Sequence, residues 1–327
     1  MDRYDLDVVA TRGSDRVESR HRVHAAVVRA DGTLVGVAGD PRMVTFWRSC
    51  AKPFQVLPLV ESGGLDDLRW DDDELAMACA SHGGEPEHVA IVESMLKDVG
   101  LEEGDLACGV QEPLSARGAR LARETGDRLS RLHNNCSGKH AAMLARAHLA
   151  GWDTAGYEHA DHAVQRDVLR VVGEWTSTDP SDIAWAIDGC GVPVYALTLE
   201  QMALAYARLG AATSGAAARV LRAMGSRPFL IGGTDRFDTT VIETGCGRVI
   251  AKVGAEGVHS VALPTLGLGF ALKVEDGAQR AQFPAVLRLC QHLGAFPAEL
   301  PPALAERLRV AVRNTRNEIV GEIRPVA

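Results

Sequence analysis

The stretch HAAVVRADGTLVGVA, residues 24–38, decides the fold class, because two apolar runs flank Asp31-Gly32. Asp-Gly supplies the turn of a tight β-hairpin, so the segment reads as two antiparallel strands. Both runs alternate imperfectly, which predicts a hairpin covered on both faces. β character returns only towards the other end of the chain. Residues 239–243, 248–253, 258–263 and 268–274 are short apolar runs parted by glycine-rich turns, and each is a predicted strand. Predicted helices near 282–293 and 302–312 and a last strand near 318–324 follow.

Between these regions, from about residue 50 to 225, the pattern is helical. Asp73 reads as the cap of a helix through Cys79. Glu85-Pro86 opens another, with Val89, Val92, Met95 and Leu96 on one face and Gly100 as its stop. Ser137 reads as the cap of a helix through Leu149, closed by Gly151. More helix is predicted over 160–174, 199–209 and 214–225. A strand-like break at 183–187 leads into DGCGVP (188–193), a rigid loop. The layout predicts an α+β fold, an antiparallel sheet with flanking helices. Residues 1–50 and 236–327 form that discontinuous domain, and 51–235 form an all-helical insertion.

A chain of 327 residues, 46% hydrophobic, is long enough to bury a large core, roughly 75% of the surface it exposes unfolded. Its net charge is −8 and no basic run occurs, which argues against nucleic acid or anionic membrane as partner. The N-terminal segment is charged throughout and lacks an apolar signal core, and no apolar stretch is of membrane-spanning length. A cytoplasmic location is expected. The seven cysteines are odd in number and scattered, unlike a disulfide framework.

Only five lysines occur against thirty arginines. Arginine stays protonated, whereas a buried lysine can lose its proton and serve as base or ligand. Lysines that survive such a bias therefore mark places where arginine will not do. Lys97 sits on a polar helix face and Lys273 in GFALKVEDG; the other three lie in three of four chemically suggestive segments.

Ser49-Cys-Ala-Lys52 puts a hydroxyl and an amine on one helical face if a helix begins there, although Pro53 fits only a first turn. A serine needs a base to become a nucleophile, and lowering a lysine by ~3 pKa units costs about 4 kcal/mol, which burial and a second cation can supply. Ser-x-x-Lys alone also recurs by chance. The second segment, SHGGEP (81–86), joins two helices and reads either as a tight turn or as a group of proton-transferring side chains. The third, HNNCSGKH (133–140) with DGC (188–190), offers thiols, an imidazole and an amine. It reads either as a capped helix start with buried cysteines or as a zinc site, but of no ordinary zinc-finger spacing. In the fourth, IAKVGAEG (250–257), Lys252 stands in an apolar β run. It either snorkels from an edge strand or is a near-neutral or paired buried amine.

Taken together, GDP (39–41), RSCAKPFQ (48–55), SHGGEPEH (81–88), HNNCSGKHAAML (133–144), DGCGVP (188–193), GTDRFDT (233–239) and AKVGAEGV (251–258) resemble the bacterial asparaginase II family, the rhizobial-type L-asparaginases, over nearly the whole chain. The resemblance implies a fold like that of serine β-lactamases and serine-dependent glutaminases. It implies two Ser–Lys pairs, Ser49 with Lys52 and Ser81 with Lys252, and one zinc ion held by Cys136, Lys139 and Cys190. It implies hydrolysis of the L-asparagine side-chain amide, and a homodimer. Ser49 is then the expected nucleophile and Lys52 its base. Backbone N–H groups of Ser49 and of the strand after Lys252 are expected to form the oxyanion hole. Ser81 passes the proton to ammonia, with Lys252 keeping Lys52 neutral. Arg48, His82 and Asp188 are the expected contacts for the substrate's α-carboxylate and amine. Departures are small: Cys50 where serine is frequent, Gly83 where serine is common, and a shortened chain before Lys252, which bears on the active-site rim. The rivals are a glutaminase, a β-lactamase or penicillin-recognising acyl transferase sharing Ser-x-x-Lys, and a non-catalytic metal-binding protein. The second is disfavoured by the missing export signal.

Overall fold

The computed structural model describes residues 1–13, 15–126 and 128–326. The chain divides into two compact units. One comprises Met1–Cys50, Leu197–Ala211 and Thr240–Ala327; the other comprises Ala51–Ala196 and Ala212–Thr239. Helix Leu199–Ala211, assigned above to the helical insertion, thus groups with the sheets. Its small, apolar face explains why: it packs on the strands of the central sheet.

The first unit holds β1 (Asp2–Arg3), β2 (Val8–Arg12), β3 (Arg16–His21), β4 (Val23–Arg29), β5 (Leu34–Ala38), β6 (Ile250–Val253), β7 (Val258–Leu263), β8 (Leu268–Val274), β9 (Val310–Arg313) and β10 (Ile319–Pro325). The expected hairpin is β4–β5, closed by Arg29 N–H to Thr33 O at 2.9 Å. It belongs to a six-stranded sheet in the order β1-β5-β4-β8-β7-β6, antiparallel except for β1 beside β5. A second antiparallel sheet runs β9-β10-β2-β3. β4 is buried at every residue but Arg29, as the unbroken apolar run requires. Helix Leu199–Ala211 lies on β4, β7 and β8, and helix Gln279–His292 touches strands of both sheets.

Expectations about strands change at three places. The run 239–243, read as a strand, lies in a helix, Phe237–Gly245. Its β-branched residues suggested the strand, but the buried Phe237, Val241 and Ile242 recur at helical spacing. The helix near 302–312 stops at Leu308 and the chain continues as β9. Strands β2 and β3 were not foreseen, since β3 is charged and almost wholly exposed.

The second unit is helical, with Asp72–Cys79, Pro86–Asp98, Ser137–Leu149, Ala163–Thr176 and Gly215–Ser226 as its main elements. Asp71, not Asp73, caps the first: its carboxylate accepts from Asp73 N, and Glu74 reaches back to Asp71 N in a capping box. Ser137 is the first helical residue rather than the cap, because its hydroxyl donates to Leu132 O. Gly138 lets this helix cross Asp72–Cys79 closely; a Cβ there would overlap Met77 O. A short hairpin pairs Trp185 with Tyr195 and Ile187 with Pro193, and so presents the loop 188–191. Among the described residues, no helix is long and apolar enough to cross a membrane.

Candidate active site

Residues Arg48–Ala51 form a 3-10 turn that runs straight into the short helix Lys52–Gln55. Pro53 falls in that helix's first turn, where a missing N–H costs nothing. Lys52 is wholly buried in the second unit. Its Nζ lies 2.5 Å from Ala80 O, 3.1 Å from Asn135 O and 3.2 Å from Ser81 Oγ. A neutral amine has two N–H groups and one lone pair. Asn135 Oδ1 is a further acceptor at 3.5 Å; in the neutral form two of these oxygens would take the N–H groups and the lone pair would face the Ser81 hydroxyl proton. Burial pushes Lys52 below its ordinary pKa and the nearby Lys139 adds to this, while Cys136 and Cys190 oppose it. Ser81 is buried and its N–H donates to Ile231 O at 3.0 Å. Asn135 is fixed by Gln111, whose Oε1 accepts from Asn135 N and Nδ2.

Cys136, Lys139 and Cys190 also come together. Lys139 lies one helical turn after Cys136, and its Nζ is 3.0 Å from Cys190 Sγ. The Cys136 thiol donates to Cys190, and with the Lys139 charge this brings Cys190 down to about 4 against its burial. That same bond, with burial, pushes Cys136 up to about 12. Burial alone would lower Lys139, but Cys190 and Cys136 outweigh it and raise it. Among the described residues no group of three His, Cys, Asp or Glu side chains could hold a metal. The third donor here is an amine, and two sulfurs with one nitrogen suit zinc. The donor set therefore fits the ion, provided the Lys139 and Cys136 protons leave on binding.

In the first unit, the turn carrying Ser49 is docked on β6 and β7. Cys50 Sγ donates to Lys252 O at 3.0 Å, Trp47 Nε1 to Ser260 Oγ at 3.1 Å, and Tyr206 OH to Cys50 O at 2.8 Å. Ser260 is the cross-strand partner of Lys252. Gly254 completes the seat, since a Cβ there would stand 3.1 Å from Cys50 Sγ. Lys252 is wholly buried, with Nζ donating to Val253 O at 2.9 Å, so it does not snorkel. Arg48 is half-buried with φ 53°, in the left-handed region.

His82 does not fit the expected role of substrate ligand. Its Nδ1 accepts from Gly84 N and its Nε2 meets Ser137 Oγ at 2.9 Å, so both ring nitrogens are used inside the fold. Burial, with His88 and Lys52 nearby, keeps it neutral. Asp188 is half-buried and its Oδ1 accepts from Gly189 N at 2.8 Å, which shapes the loop carrying Cys190. Sequence reasoning missed Gln111 and Tyr206, and it read Glu85 as a helix opener in a candidate proton-transferring group, not as a buried, fully paired carboxylate. The last had a signal: a glutamate at a helix N-cap, between Gly-Gly and Pro, where Ser, Thr, Asp or Asn is usual.

A fold with this equipment is that of an enzyme, and its class follows from comparison: residues 8–325 match the L-asparaginase II family, an amidohydrolase family. The chain belongs to the L-asparaginase II family. Compared by sequence with curated proteins, it finds no match. Among solved structures it is similar to Mglu in its native form, at 14% identity and a TM-score of 0.46 over 85% of this chain and 66% of that one. It is similar to a β-lactamase from Mycobacterium bovis, at 12% identity and a TM-score of 0.45 over 84% and 96%. A Bacillus glutaminase matches at 12% identity and a TM-score of 0.37 over 84% and 91%. The chain spans 66% and 62% of the first two Mglu chains it matches.

Proposed function

We propose that the protein is an L-asparaginase that hydrolyses the side-chain amide of L-asparagine to L-aspartate and ammonia through a serine ester. Family membership supports the amide chemistry, and the observation that carries the mechanism is the buried contact of Lys52 Nζ with Ser81 Oγ at 3.2 Å. Lys52 removes a serine proton as that oxygen bonds to the amide carbon. By the family resemblance, backbone N–H groups at the Ser49 turn would receive the oxyanion. The proton passes to the nitrogen as the C–N bond breaks and ammonia leaves. Water, deprotonated by the same amine, then cleaves the ester and restores the hydroxyl.

Two serines compete for the nucleophile. Ser49 is the residue the family resemblance implies, three residues before Lys52, with Ser81 relaying the proton. The second reading makes Ser81 the nucleophile, because it is the hydroxyl seen on the Lys52 amine. Lys252 completes the set by resemblance.

Cys136, Lys139 and Cys190 would hold a zinc ion, which supplies Lewis-acid polarisation or rigid ordering of the loops it joins. The homodimer implied by the resemblance belongs to the same proposal, and light scattering tests it. Ammonia release from asparagine and from glutamine, beside turnover of a chromogenic β-lactam, tests the function. Release faster from glutamine, or β-lactam turnover alone, overturns it.

A further inference from the structure

The buried Glu85 carboxylate is absorbed by none of the roles above. It is fully buried. Oε1 accepts from Thr234 N at 2.7 Å and Oε2 from Thr234 Oγ1 at 2.8 Å. Arg117 Nη1 donates to Oε2 at 2.5 Å and grips Glu87 through both terminal nitrogens at 2.8 Å. A desolvated charge is tolerated only with this degree of pairing.

The bonds join two stretches of chain. One, 81–88, carries Ser81; the other, 229–234, runs beside it. Ser81 N–H donates to Ile231 O, Glu85 takes Thr234, and His88 Nε2 donates to Phe229 O at 3.1 Å. His88 Nδ1 accepts from Glu85 N, which fixes that tautomer. Gly233 makes the approach possible: at φ 110°, a Cβ there would stand 2.6 Å from Glu85 Oε1. Three ties therefore hold the backbone of 81–88 in register with 229–234, which fixes the Cα and Cβ from which the Ser81 hydroxyl reaches Lys52.

We propose that Glu85 is a positioning residue of the reaction, clamping the Ser81 loop through Thr234 so that the Ser81 hydroxyl stays on the Lys52 amine. The role rests on the reading that Ser81 takes part in catalysis. Glutamine at 85 keeps the shape but sets an N–H2 group against either Thr234 or Arg117, which are both donors at their bonding atoms.

The test is a double-mutant cycle on ammonia release. Glu85→Gln should lower kcat by about tenfold to a hundredfold, with KM changed less than about threefold. In the Ser81→Ala background the same substitution should change kcat by less than about twofold, because the hydroxyl it positions is gone. An equal loss in both backgrounds overturns the clamp, since a merely structural carboxylate would cost the same in each. If Glu85→Gln does not fold, Thr234→Val, which removes only the hydroxyl bond, carries the cycle with a smaller expected loss of about threefold to tenfold. A crystal structure of the folded variant gives a readout independent of activity. Ser81 Oγ displaced from Lys52 Nζ supports the clamp, and a retained 3.2 Å contact sinks it. A wild type that releases no ammonia from either amide would instead defeat the asparaginase reading, leaving the crystal structure to judge the clamp.

Discussion

Lys52 Nζ stands 3.2 Å from Ser81 Oγ, with the backbone carbonyls of Ala80 and Asn135 and the Asn135 side-chain oxygen as its other oxygen contacts. The pair is built by two independent sequence segments, RSCAKPFQ and SHGGEPEH, and shielded from water. The physical use of such an arrangement is to lower the pKa of an amine and aim its lone pair at a hydroxyl. Arginine can supply the charge but neither property.

Lys52→Arg should therefore reduce kcat by at least about a hundredfold, in line with the loss of a general base. The bulkier guanidinium also enters a space fitted to the lysine amine, so circular dichroism is recorded beside the kinetics. A folded variant retaining more than about a tenth of wild-type kcat would show that Lys52 is not the base.

The nucleophile can be read directly from a trapped ester. Wild-type protein treated with an electrophilic asparagine analogue should yield one serine adduct per chain by mass spectrometry. Mapping to Ser49 supports the relay role of Ser81; mapping to Ser81 supports the second reading. Ser49→Ala and Ser81→Ala should each slow turnover, and only the true nucleophile's variant should fail to form the adduct.

Much of this was legible in the sequence, for identifiable reasons. β7 and β8 fall where the apolar runs predicted, because β7 is buried throughout, β8 at every residue but Leu268, and both are bounded by glycine turns. Lys52, Lys139 and Lys252 stood out because lysine is scarce, and all three prove buried. The helix Phe237–Gly245 was misread because β-branched residues obey their packing surroundings before their intrinsic preference. Tyr206 and Gln111 carried no local sign, and Thr234, though part of GTDRFDT, carried none of its bond to Glu85, since each acts through a partner distant in sequence: Cys50, Asn135 and Glu85. Only the folded chain brings such pairs together.

Glu85 also gives a stability signature in acid. Burial would raise its pKa, but Arg117 and Thr234 hold it below the usual carboxylate value of 4.5. The folded protein thus binds this proton more weakly than the unfolded chain. The stability it contributes is complete above the unfolded pKa and is lost as pH falls through the lowered folded value. Urea midpoints of wild type and Glu85→Gln should differ at neutral pH and converge in acid. A gap that persists unchanged at both ends would mean the carboxylate's charge is not what stabilises the loop.

Gly138→Ala tests the helix crossing that brings Cys136 and Lys139 to their places. The new methyl meets Met77 O, a backbone atom that cannot rotate away. Overpacking of this kind costs about 1–3 kcal/mol, well beyond the gain in helix propensity from alanine. Urea denaturation should show that loss, and unchanged stability would mean the two helices can part without penalty.

The thiols and amine at 136, 139 and 190 make the last prediction. If these residues hold zinc, the purified protein should contain about one ion per chain, and Cys190→Ser should lose it. Affinity should fall as pH is lowered, because protons compete for both sulfurs and the amine. In the proposed mechanism the Ser–Lys pair already supplies a nucleophile and a base, so the ion would serve to order the loops 133–140 and 188–193. Chelation should then raise KM by about tenfold, or about 1.4 kcal/mol, and change kcat less. Loss of kcat with KM untouched would make the ion a participant in the chemistry. A metal-free preparation with unchanged kinetics would leave the cluster as a buried thiol–amine contact and nothing more.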